Sequence, residues 1–142
     1  MPTWECCCCG FSKRMNNDLI ARAKAARDRS ISPYSHFKVG AAIRTRDGKI
    51  YDGCNIENAS YGLTVCAERL ALLKALSEGE RDFTEIAVVT DTEKLTPPCG
   101  PCRQLLWEYC GNIPVRLHSL RQLDETHALA DLFPHPFDKK NL

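Results

Sequence analysis

The chain has 142 residues, of which 44% are hydrophobic and 26% charged, with a formal net charge of +1. That length predicts one domain with a single ordinary core, and the balance is that of a folded soluble protein, not a disordered one. A charge so near zero argues against nucleic-acid and membrane partners, and no apolar run approaches the ~20 residues that span a bilayer.

The opening residues MPTWECCCCG lack the apolar stretch of a secretory leader, so a cytoplasmic protein is expected. Residues 1–14 follow neither the helical nor the strand period and read as a disordered, oxidation-prone cysteine-rich tail ahead of one domain at 15–142. Acylation of Cys6–Cys9 is disfavoured, since only Lys13 and Arg14 lie beside them as basic support. From 15 to 29, MNNDLIARAKAARDR places Leu19, Ile20, Ala23 and Ala26 on a helical face, with Asn16 or Asn17 as cap, and SPY at 32–34 breaks it. FKVGAAIRTRDGKIYDGC then predicts a hairpin, with strands at 38–45 and 49–54 about the turn RDG. NIENASYGL at 55–63 is a polar connection, and a second helix covers 64–77. EIAVVTD at 85–91 is a short buried strand, TEKLTPPCGP a loop, and a third helix runs from 102 to 109 or 110. A strand at 113–119 and a last helix over ETHALADLF (125–133) complete the chain. The alternation after the hairpin predicts an α/β layer with at least one parallel pairing.

Nine cysteines without an export signal point to metal binding or catalysis before a disulfide framework. Cys6–Cys9 are contiguous, whereas Cys54, Cys66, Cys99, Cys102 and Cys110 are dispersed. In PPCGPC (97–102), Gly100 and Pro101 shape a turn that lets Cys99 and Cys102 converge on one ion at roughly 2.3 Å each. Redox pairs share this spacing, but the proline-rich loop and the further thiols disfavour a thioredoxin-like motif. Cys66, at another helix start, is the best third ligand, and both helix N-termini would lower the thiol pKa values. Three protein ligands with a fourth position left for water is the arrangement of a catalytic zinc. Glu68, on the adjacent first turn, would reach that water, accept its proton and redeliver it. Arg69 would hydrogen-bond the sulfurs and offset their charge. Each residue has a plainer reading: Cys66 alone as a small buried hydrophobe, Glu68 as a helix-dipole partner, and Cys54 or Cys110 as the fourth ligand of a structural zinc module. His118, His127 and His135 read as outer residues, since three thiolates suffice.

Cys-Ala-Glu at 66–68 followed by Pro-Cys-x-x-Cys at 98–102 resembles the zinc-dependent nucleoside and nucleobase deaminases, a class whose signature is known in advance and does not follow from spacing. SPYSHFKVGAA (32–42), GCNIENASYGLTVCAERLAL (53–72) and PCGPCRQLL (98–106) resemble the small homotetrameric cytidine deaminases, and the likeness runs from Leu19 to Phe137.

The resemblance implies a three-layer α/β/α fold, a mixed sheet of about five strands flanked by helices. It implies one zinc per subunit on Cys66, Cys99 and Cys102, and hydrolytic deamination of cytidine and deoxycytidine to uridine and deoxyuridine plus ammonia in pyrimidine salvage. Glu68 would take a proton from the zinc-bound water, protonate N3, and pass a proton to the amino group leaving C4. Asn55 and Glu57 would hold the ribose 3′-hydroxyl, Phe37 would pack on the base, the backbone at Ala67 would meet its polar edge, and Tyr61 would join the substrate-binding set. The ending LFPHPF would place Phe137 over a neighbouring subunit's pocket in a homotetramer with composite sites. Plainer roles exist here as well: Asn55 and Glu57 could cap a loop, and Phe37 and Phe137 could be packing residues. The chain departs from the family with Pro97 where serine is usual and Pro101 where alanine is common, which tightens the loop beside the pocket without removing a ligand. A deaminase of blasticidin S is the alternative, and the polar NIENASY favours the ribose of cytidine.

Overall fold

The structure, a computed structural model, describes the backbone from Cys8 and the side chains from Asn17 to the end of the chain. Helix α1 covers Cys8–Arg27, strand β1 Gly40–Thr45 and strand β2 Ile50–Cys54. Helix α2 (Ala67–Ser77), strand β3 (Phe83–Thr90), helix α3 (Gly100–Cys110) and strand β4 (Pro114–Ser119) follow. Strand β5 (Leu123–Ala128) and the short helix α4 (Leu129–Leu132) end the regular structure apart from a final 3-10 turn.

The strands form one five-stranded sheet in the order β2-β1-β3-β4-β5. Strand β3 runs parallel to β4, and the remaining pairs are antiparallel. The crossover through α3 supplies the parallel step, as a strand–helix–strand unit must. Because side chains alternate across the pleat, the central strands β1 and β3 feed two separate cores. On one side Leu19, Ile20 and Ala23 of α1 bury Ala42, Ala87 and Val89. On the other, Ala67, Ala71, Leu72 and Ala75 of α2 and Leu106 of α3 cover Ile43, Ile86, Val88 and Val115. The expected three-layer α/β/α arrangement is the one observed.

Two glycines set how closely the helices descend. A Cβ on Gly40 would stand 2.0 Å from the carbonyl oxygen of Ala23 in α1. One on Gly53 would lie 2.6 Å from both the Ala67 carbonyl oxygen and the Ala71 nitrogen of α2. Backbone approach of that kind admits no side chain. Gly53 thereby brings the first turn of α2 down onto β2.

Two expectations need correction. Helix α1 begins at Cys8 and not at 15, so residues 8–14 are helical, where no helical period was expected. No proline interrupts them, and Gly10 alone costs only about 1 kcal/mol. Residues 1–7, with Cys6 and Cys7, lie outside the described residues. The predicted last helix over 125–133 is instead β5 followed by the single turn of α4. Gln122 adopts φ 68, turning the chain back so that Leu117 faces Glu125 and Val115 faces His127. Pairing with the open edge of β4 outweighs the helical preference of that segment.

Candidate metal centre and active site

The thiols converge because two helices begin at the same place. Cys66 is the N-cap of α2, Cys99 is the N-cap of α3, and Cys102 lies in the first turn of α3. Pro101 suits that first turn, where its missing N–H would have no helical partner. The Cys66 and Cys99 sulfurs are 3.7 Å apart and those of Cys99 and Cys102 3.3 Å, with all three within 4.8 Å of one another. Sulfurs bound at roughly 2.3 Å to a tetrahedral ion stand about 3.8 Å apart, so the trio fits zinc. Among the described residues it is the only such grouping of metal-binding side chains.

The sulfurs differ in acidity. Hydrogen bonding with Cys102 and Cys99 and the Arg69 charge hold the Cys66 thiol down at about 6, against the opposing effect of burial. Cys102 is pushed up by its bond with Cys66 and by burial, because one negative charge in the trio opposes a second. A divalent cation removes that opposition. Arg69 donates from Nη2 to the Thr64 carbonyl at 2.6 Å, so it acts on Cys66 through charge and not through the expected hydrogen bond to sulfur.

Glu68 is 6% exposed, in the first turn of α2. Burial, reinforced by the negative charge of Cys66, raises its carboxyl to about 7. Among the described residues no cation pairs with it. A carboxyl placed so near neutrality can both take and give a proton at physiological pH.

Glu68, Cys66, Ala67 and Cys99 line a cavity of about 190 Å³, whose other walls include Phe37, Asn55, Glu57 and Pro97. Ala67 is fully buried, whereas Phe37 is exposed at the mouth. The Asn55 side chain is largely committed: Oδ1 accepts from the Val39 nitrogen at 2.9 Å and the Ser30 hydroxyl at 2.5 Å, while Nδ2 donates to the Phe37 carbonyl at 2.6 Å. One amide hydrogen is left. Glu57 accepts from the backbone nitrogens of Tyr34 and Ser35 at 3.0 and 3.2 Å and from the Ser35 hydroxyl. The Ser35 bond, ahead of the backbone bonds, holds its carboxyl below the usual range. Ser30 and Ser35 went unremarked in the sequence, where they lie far from the residues they hold.

A wider hollow shares Ser35, Glu57 and Thr64 with this cavity and adds Tyr34, Asn58 and Tyr61. Tyr61 stands 81% exposed on its rim. Phe137 is 60% exposed and does not line the cavity of its own chain. Cys54 sits in β2 and Cys110 at the far end of α3, so neither joins the three sulfurs. His118 and His127 lie beside Asp124 and Glu125 on the β4–β5 edge, away from the trio.

Comparison with known proteins agrees with this geometry. The family model described as the cytidine and deoxycytidylate deaminase zinc-binding region matches residues 13–114. A cytidine deaminase of Sporosarcina psychrophila is 50% identical over 125 residues, covering 87% of this chain and 92% of its own. The solved cytidine deaminase of Burkholderia pseudomallei superposes with a TM-score of 0.82 at 48% identity, covering 85% of this chain and 98% of its own. A blasticidin-S deaminase of Bacillus cereus is more distant, 35% identical over 68% of this chain and 74% of its own.

Proposed function

The chain belongs to the zinc-dependent cytidine and deoxycytidylate deaminase family, and from that membership we propose that it hydrolyses cytidine and deoxycytidine to uridine and deoxyuridine with release of ammonia. The observation that carries the proposal is a buried carboxyl, Glu68, with no cation partner among the described residues, beside three sulfurs spaced for one zinc ion. Cys66, Cys99 and Cys102 would hold a zinc ion, which would supply the Lewis acidity that activates a water at neutral pH. Glu68 would take a proton from the water whose oxygen adds to C4 and deliver it to N3, then pass the remaining hydroxyl proton to the amino group as the bond between C4 and that nitrogen breaks. Its burial keeps bulk water from competing for the proton.

The sugar-binding roles follow from what each side chain has left to offer. Asn55 retains one amide hydrogen as a donor, and ionised Glu57 is an acceptor, a complementary pair for one ribose hydroxyl. Phe37 at the mouth would lie against the base, and the backbone at Ala67 would meet the base edge. Tyr61, on the adjoining rim, would border the sugar side. Arg69 would temper the thiolate charge from a distance.

Self-association as a homotetramer is part of the proposal. Ile31, Tyr34, Ile56, Tyr61 and Leu63 expose apolar surface near the cavity, and Phe137 stands free to reach a neighbouring chain. Patches of that kind favour burial against another copy. The need for three reduced thiols supports a cytoplasmic setting, and the products support a place in pyrimidine salvage.

Incubating purified protein with cytidine, with and without a chelator, tests the proposal. Loss of cytidine ultraviolet absorbance that the chelator abolishes is expected. Zinc-loaded protein that leaves cytidine untouched but consumes blasticidin S would move the substrate elsewhere in the family.

A further inference from the structure

The loop that delivers Cys99 is poor in hydrogen-bond donors. Pro97, Pro98 and Pro101 have no N–H, so its buried carbonyls must be satisfied from outside. Pro98 is almost fully buried, and its carbonyl accepts from Nε of Arg103 at 2.7 Å. The backbone nitrogen of Arg103 donates to the Cys99 carbonyl at 3.0 Å. One residue thus holds both peptide groups that flank the Cys99 Cα.

The same guanidinium reaches the other way. Its Nη1 donates to the Leu132 carbonyl at 2.8 Å, at the end of α4. Further along α3, Gln104 donates to the Phe137 carbonyl at 2.8 Å and Trp107 to the Asp138 carboxylate at 3.1 Å. The segment that carries Phe137 is therefore tied to α3 at three points, and only Arg103 also touches the metal loop.

We infer that Arg103 is a positioning residue, which fixes Cys99 for zinc and couples that ligand to the C-terminal segment bearing Phe137. The inference rests on the zinc reading of Cys66, Cys99 and Cys102. A planar guanidinium holds two carbonyls in one fixed fork, whereas a lysine ammonium is a point charge without that geometry. Outer contacts of this kind change metal affinity by about 10- to 100-fold.

The test follows zinc release into excess colorimetric chelator from the zinc-loaded parent, Arg103→Met, Arg103→Lys and Gln104→Ala. Melting temperatures are recorded with and without zinc, and amide exchange is followed over residues 133–142. Arg103→Met should release zinc about tenfold faster than the parent and show a smaller zinc-induced rise in melting temperature. Arg103→Lys should fall between them, and it carries the test should Arg103→Met not fold. Gln104→Ala should release zinc at the parental rate while its C-terminal amides exchange faster. Parental release from both Arg103 variants overturns the inference, as does an equal loss of melting temperature with and without zinc. A parent that binds no zinc overturns the metal reading as well, which separates the two failures.

Discussion

Two carboxylates of nearly equal burial, Asp52 at 7% exposure and Glu68 at 6%, occupy opposite electrostatic settings in this molecule. Asp52, in β2, meets Lys74 at 3.0 Å, Arg22 at 3.2 Å and Arg29 at 3.3 Å. Burial pushes its carboxyl up, but Lys74 and Arg22 outweigh it and hold the group below the usual range. Glu68 has burial with no cation partner among the described residues and is raised to about 7. One carboxylate fastens α1 and α2 to the sheet, and the other is left near neutrality, as the proposed proton exchange requires. A buried acid's partners, not its burial, tell structure from chemistry.

The largest effect expected from breaking this contrast is at Glu68. Glu68→Gln should lower the deamination kcat by roughly 10²- to 10⁴-fold, with zinc content and thermal stability retained. Metal analysis beside steady-state kinetics would show it, and a variant that stays active would remove Glu68 from the reaction. Gly53→Ala comes next, because the added methyl meets the α2 backbone at 2.6 Å. It should cost about 1–3 kcal/mol in denaturant unfolding and displace the turn carrying Glu68, reducing kcat as well.

Asp52→Asn should separate stability from chemistry. Its three cations are each about half exposed, so screening reduces the expected loss to about 1–2 kcal/mol, with kcat per folded molecule unchanged. The smallest effect is in pH. Since Asp52 is depressed in the folded state, its stabilisation is present above the ordinary carboxylate pKa of about 4 and is lost as pH falls through the folded value. Acid unfolding of Asp52→Asn should therefore lack this part of the parent's decline below about pH 4.

The sequence made the site more legible than the network around it. Spacing alone nominated Cys66, Cys99 and Cys102, since C-x-x-C at one helix start and a thiol at another constrain geometry locally. The partners of Asp52, and the serines that hold Asn55 and Glu57, come from elements that meet only in the folded sheet, so no local pattern signals them. The same limit explains the last helix. ETHALADLF has helical periodicity, and only the unpaired edge of β4 makes its first half a strand. Residues 8–14 show the reverse, where a segment without clear amphipathic periodicity still continues α1.

Zinc-edge X-ray absorption of the purified full chain reaches most directly to the central claim, one ion on Cys66, Cys99 and Cys102 with a position open beside Glu68. The expected result is one zinc per chain with three sulfur donors and one lighter donor. Four sulfur donors, or no bound zinc, would contradict it.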